Sequence, residues 1–213
     1  MTRPVHVSKS LIAGSAGAIE VAANIPEAAR LCAVAVVAHP HPLFGGTMDN
    51  KVVTSMARAF TDAGAATWRF NFRGVGKTEG AHDEGRGETE DMLTVIRHAC
   101  ALNPGQPLWL SGFSFGGAIT LAASAQISTA EMILIAPSFQ RITHLQDQTA
   151  SVVPESTLII HGEQDDTIPL VESLNWARPR NVPVVVVPGA DHFFHQRLHI
   201  IKQIAARWLP GAK

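Results

Sequence analysis

Gly112-Phe113-Ser114-Phe115-Gly116-Gly117 is the stretch whose residue types and spacing point most directly to chemistry. A serine with glycines two residues before and two after it fits a turn so sharp that larger side chains at those positions would collide. The apolar run Pro107-Leu108-Trp109-Leu110 precedes it, and a helix of small residues, Ala118 to Gln126, follows. Strand, turn and helix together are the setting of a G-x-S-x-G nucleophile elbow. There Ser114 projects its hydroxyl above the sheet as a nucleophile, and the N–H of Phe115 points at the oxyanion that develops on attack. The competing reading, a glycine-rich turn with an incidental serine, is weakened by the flanking strand, the helix and the additional Gly117.

Such a serine needs a sheet beneath it. Residues 5–13 and 18–23 are extended stretches joined by Gly14-Ser15-Ala16-Gly17, which predicts an antiparallel hairpin. After Pro26 the pattern changes to strands at 33–38, 67–72, 108–112, 131–136, 157–161 and 182–187. Helices are predicted at 48–63, 87–102, 115–126, 169–178 and 192–209, the second with Glu88, Glu90 and Asp91 early, where the helix dipole favours them. Alternating strands and helices predict an α/β fold with a mainly parallel sheet covered on both faces. Functional groups then gather on loops at the carboxyl ends of the strands.

Hydrophobic residues at 46% against 16% charged predict a folded globular chain, and the absence of repeats or linkers predicts one domain over 1–213. The net charge of −1, without a Lys/Arg cluster, excludes nucleic acid as an expected partner. Ala33–Ala38 and Val184–Val187 are strand-sized, far short of the roughly 20 apolar residues that span a bilayer. Met1 to Ser10 lacks the apolar stretch of a signal peptide, so no membrane partner and a cytoplasmic location are expected. Cys32 and Cys100, in apolar sequence surroundings, are expected to be reduced core thiols.

With the elbow in this strand–helix order, the sequence resembles the α/β-hydrolase superfamily along nearly its whole length. The resemblance implies a triad in the chain order nucleophile, acid, histidine. The string His161-Gly162-Glu163-Gln164-Asp165-Asp166-Thr167-Ile168-Pro169 is similar to the family's acid loop and implies Asp165 as the acid. Asp166 is its neighbouring alternative, and a solvated acidic loop is the bland one. Pro188-Gly189-Ala190-Asp191-His192-Phe193-Phe194 follows the last strand, where the family carries its catalytic histidine, which implies His192. His195 and His199 compete, because at helical spacing they would share a face with His192.

Alignment with the family's loop after the third strand puts the second oxyanion donor in His39-Pro40-His41-Pro42-Leu43-Phe44-Gly45-Gly46-Thr47-Met48-Asp49-Asn50-Lys51. Proline has no N–H, so Pro40 and Pro42 cannot serve. The candidates are the N–H of His41 first and of Leu43 second, beside that of Phe115. The HPHPxxGGxMxNK string is similar to that of a group of small bacterial serine hydrolases without a cap. Arg73-Gly74-Val75-Gly76-Lys77-Thr78-Glu79-Gly80 also resembles a superfamily loop, with glycines read as structural. His39-Pro40-His41 admits a metal reading, but no third ligand follows at a recognisable spacing, so no metal and no cofactor are expected.

The resemblance therefore implies a serine hydrolase acting on small-molecule carboxylic esters through an acyl-enzyme. Thioester or peptide and amide cleavage stand as alternatives on the same triad, and a metallohydrolase or a non-catalytic binding protein as remoter ones. Residues 137–156 leave little room for a helical lid, so the site is expected to be open and shallow, with Phe44, Phe113, Phe115, Phe139 and Phe193 available to line it.

Overall fold

The segment Ala33–Ala38 reads AVAVVA, apolar at every position, and forms a strand buried on both faces. In the computed structural model, which describes residues 5–27, 31–140 and 153–210, it is the third strand of a single sheet. The strands are β1 (Val5–Gly14), β2 (Gly17–Pro26), β3 (Ala33–Ala38), β4 (Ala65–Phe70), β5 (Leu108–Phe113), β6 (Glu131–Ile135), β7 (Thr157–Gly162) and β8 (Val184–Val187). Their order across the eight-stranded sheet is β1-β2-β4-β3-β5-β6-β7-β8. The first two pair antiparallel across a Ser15-Ala16 turn, β2 runs antiparallel to β4, and every later pair is parallel.

Among the described residues, five α-helices connect and cover these strands: α1 (Lys51–Asp62), α2 (Arg86–Leu102), α3 (Phe115–Ser124), α4 (Leu170–Ala177) and α5 (Leu198–Trp208). Alternation along β3 divides its side chains between two cores, as the pleat requires. Val34, Val36 and Ala38 pack with Met92 and Ile96 of α2 and Ile119 of α3. Ala33, Ala35 and Val37 face the other way, onto Val53, Met56 and Phe60 of α1 and Ile201 of α5. Phe60 is fully buried, its ring 5.9 Å from that of Trp109. Truncating it to Ala would cost about 3–5 kcal/mol.

Three expectations from the sequence need correction. The final helix does not begin at 192: residues 192–197 form turns, Phe194 and Gln196 take φ values of 53° and 61°, and α5 starts at Leu198. The backbone turns there as it buries Phe194 completely in the core of α1 and α5. The helix after β3 starts at Lys51 rather than 48, because Asn50 Oδ1 accepts the N–H of Val52 at 2.8 Å and caps it. The cysteines are not joined by a disulfide, and only one meets the core: Cys32 is exposed, whereas Cys100 is half-buried and packs against the cluster that includes α2 and α3. The interval expected to have little room for a lid, residues 137–156, falls largely in 141–152, outside the described residues.

Candidate active site

Ser114 directly follows β5, and Phe115 opens α3. Its φ of 55° and ψ of −117° match the first central position of a type II′ turn, where glycine usually sits. For a serine this costs of order 1–3 kcal/mol, and the surroundings must enforce it. They do: the N–H of Ser114 donates to the Ile135 carbonyl at 2.9 Å, and its own carbonyl accepts from Gly117 at 2.9 Å and Ser138 at 3.1 Å. A Cβ on Gly112 would stand 2.1 Å from the Gly116 carbonyl oxygen, and one on Gly116 would stand 2.4 Å from that of His39. The glycines are therefore obligatory, and the second wedges the elbow against the loop after β3. As the first helical residue, Phe115 has an N–H with no acceptor inside its own helix.

The loop after β7 carries Asp165, and both of its oxygens are held. Oδ1 accepts from the N–H groups of Thr167 at 3.0 Å and Ile168 at 2.7 Å. Oδ2 lies 2.7 Å from His192 Nδ1 and 3.3 Å from His161 Nε2. Burial works to raise the carboxyl's pKa, but the hydrogen bonds from His161, His192 and the Ile168 N–H, with the neighbouring His192, outweigh it. The carboxyl is held well below the usual carboxylate range. His161 is itself fully buried. Its Nε2 also lies 2.9 Å from the Ile168 carbonyl, which can only accept, so this nitrogen carries the proton. Its Nδ1 lies 2.8 Å from the Ser173 hydroxyl.

His192 follows β8, is 3% exposed, and packs its ring 4.8 Å from that of Phe113. With Nδ1 on the carboxylate, Nε2 is the nitrogen left for the cleft that Ser114 and His192 both line. The alternatives are placed elsewhere. Asp166 is exposed and accepts from its neighbour Thr167 Oγ1 at 3.3 Å. His195 is exposed and paired with Asp191, and His199 is exposed on α5.

The loop after β3 closes the other flank. His39 is fully buried, with Nε2 accepting from the Phe72 N–H at 3.0 Å and Nδ1 donating to the Pro40 carbonyl at 2.6 Å. Burial pushes its pKa down to about 4. Both nitrogens thus serve the backbone, which removes the ring from any metal site. The N–H of Leu43 donates to His41 Nδ1 at 3.2 Å. The ring of His41 packs 4.8 Å from the rings of both Phe44 and Phe115, beside the elbow.

The cleft has a volume of about 590 Å³. Of the five phenylalanines offered by the sequence, Phe44, Phe115 and Phe193 line it. Phe113 lies beneath, against His192, and Phe139 is stacked on Trp176 with ring centroids 4.2 Å apart. Sequence reasoning missed His82 and Arg86 in the lining, and His161 behind the acid. His82 stands with Nδ1 2.8 Å from Oε1 of the fully buried Glu88. His82 and Arg86 lie in or beside an irregular loop with no spacing signal; His161 could have been found from its place in the acid-loop string.

A family model described as serine aminopeptidase, S33, matches residues 32–156. An uncharacterized protein of Rickettsia prowazekii is 32% identical over 173 residues, which cover 77% of this chain and 73% of the relative. An α/β serine hydrolase homologue from Coxiella burnetii superposes with a TM-score of 0.88 at 37% identity, over 95% of this chain and 97% of its own. A Xanthomonas campestris α/β serine hydrolase without a lid gives a TM-score of 0.88 at 34% identity, over 97% of each chain. Among the described residues, no helix is long and apolar enough to cross a membrane. The chain belongs to the serine aminopeptidase, S33, family and with it to the α/β-hydrolase superfamily, as a serine hydrolase.

Proposed function

We propose that this protein hydrolyses small or exposed carboxylic esters through Ser114, His192 and Asp165. The observation that carries this reading is that an elbow serine and an imidazole bound through Nδ1 to a buried carboxylate, 2.7 Å away, line one cleft. His192 Nε2 takes the proton of Ser114 Oγ as the oxygen attacks the acyl carbon. The oxyanion is met by the N–H of Phe115 and, from the proline-interrupted loop, by that of His41. Leu43 is the weaker choice, since its N–H already donates to the His41 ring. The imidazolium then protonates the departing alkoxide, leaving an acyl-enzyme. Water, deprotonated by His192, releases the acid, while Asp165 holds the tautomer throughout.

The family's description raises peptide cleavage as a second reading. An aminopeptidase must hold a substrate α-ammonium. Among the described residues, the carboxylate that lines the cleft is Glu84, which faces Arg86 with Oε2 3.8 Å from Nη2. That corner is not a net anionic holder, which favours the ester. The same reading makes residues 1–213 one domain acting in the cytoplasm without a cofactor; a single sheet and two cysteines that are not joined by a disulfide support it. A panel of p-nitrophenyl esters beside aminoacyl p-nitroanilides, run on wild type and Ser114→Ala, tests it. Ester turnover lost in the variant and one fluorophosphonate adduct on Ser114 are expected. Faster anilide turnover would replace the ester with the amide.

A further inference from the structure

The chain contains nine phenylalanines. Seven of them (Phe60, Phe70, Phe72, Phe113, Phe115, Phe139 and Phe194) are at most 6% exposed. Phe44 is 84% exposed and Phe193 45%, and both line the cleft that holds Ser114. A large apolar ring kept in water forgoes the hydrophobic gain that buried the other seven. That the two exceptions share one cleft marks their faces as binding surface. They also come from opposite sides of the nucleophile: Phe44 follows β3 and Phe193 follows β8, with β5 between those strands in the sheet order.

Phe44 is the outer member of a wall of rings. His41 lies 4.8 Å from Phe44, 5.0 Å from His82 and 4.8 Å from Phe115, at interplanar angles between 43° and 55°. Tilted rings at this spacing present faces and edges that a further ring can meet in offset or edge-to-face contact. A long alkyl chain would gain by being enclosed along its length, whereas this lining also carries Asn50, Glu84 and Arg86. We propose that the substrate carries a planar aromatic group next to the scissile bond, docked on Phe44 and Phe193. This rests on the ester reading above and names the substrate class of the same site.

The test uses two matched pairs that differ only in ring aromaticity, followed by pH-stat titration of the full chain. One pair is methyl 3-phenylpropanoate with methyl 3-cyclohexylpropanoate, for an aromatic acyl group. The other is phenylmethyl acetate with cyclohexylmethyl acetate, for an aromatic alcohol. In at least one pair the aryl ester is expected to be favoured about tenfold in kcat/KM. Phe44→Ala, at a site too exposed to affect folding, should bring that ratio close to one, chiefly through the KM of the aryl ester. Phe44→Leu, which keeps apolar area without a ring, should not restore it. Equal rates within both pairs, a wild-type ratio in Phe44→Leu, or turnover confined to micellar long-chain esters would overturn the proposal while leaving the esterase intact. Failure of fluorophosphonate to label Ser114 removes the underlying reading, and this inference with it.

Discussion

The two flanks of the cleft present different groups to it. After β7 and β8, hydrogen bonds do the work: both oxygens of Asp165 are occupied, and His161 behind it is engaged at both ring nitrogens. After β3, the buried His39 and the His41 carbonyl hold the base of the loop by hydrogen bonds, but what the loop turns toward the cleft is a set of rings in contact, with Phe44 almost wholly in water. Hydrogen bonds are directional, so the first flank fixes one geometry. Ring contacts have many acceptable arrangements, so the second can adapt. On the proposed function, fixed chemistry and adaptable selection occupy separate strand ends.

If this division holds, damage to the hydrogen-bonded flank should show in kcat. The largest effect is expected at the elbow: Ser114→Ala should lower kcat by about 10⁶ with the fold intact by circular dichroism. Residual turnover of one part in a hundred would break the comparison at its root. Asp165→Asn should lower kcat by about 10⁴ through the wrong tautomer of His192, measured on the same ester.

The buried imidazole of the other flank should register in stability instead. His39 has a folded pKa of about 4, below its unfolded value, so the unfolded chain binds the proton first as pH falls. Stability should therefore drop by about 3 kcal/mol between pH 6.5 and 4, read from urea unfolding at each pH. The depressed Asp165 acts in the same direction below the usual carboxylate range, where its contribution is lost as it protonates. His39→Gln, which keeps a donor and an acceptor, should flatten the slope in the His39 window. A slope unchanged by that substitution would move its origin elsewhere.

Smaller effects sharpen the contrast. His161→Gln should lower kcat about tenfold with KM unchanged, by loosening one of the contacts on Asp165 Oδ2. Asp166→Asn, next in sequence but exposed, should stay within about twofold of wild type. A large loss in Asp166→Asn beside a mild effect of Asp165→Asn would exchange the roles of the adjacent carboxylates.

What could be read before the fold was known was what is local. The elbow announces itself because a buried strand, two sterically required glycines and a helix of small residues follow one another within twenty residues. The fully apolar parallel strands were legible for the same reason. The last helix was misread because the turns at Phe194 and Gln196 are imposed from a distance, by a pocket between α1 and α5 that takes the Phe194 ring. Cys32 sits one residue outside the apolar run of β3, and a single step in register separates a core thiol from an exposed one. The bond from His161 to Ser173 joins a strand end to a helix and has no spacing rule. Phe113 and Phe193 looked equivalent on paper; only the path of the chain decides which faces water.

The dihedral angles of Ser114 carry a further consequence. Glycine adopts them without penalty, and the strain relieved, of order 1–3 kcal/mol, exceeds the roughly 0.5–1 kcal/mol by which glycine's freedom favours the unfolded chain. Ser114→Gly should therefore melt at a higher temperature than the wild type while having nothing with which to attack an ester. A serine held at that angle forgoes stability that glycine would recover, which is what the nucleophilic role proposed for it would require.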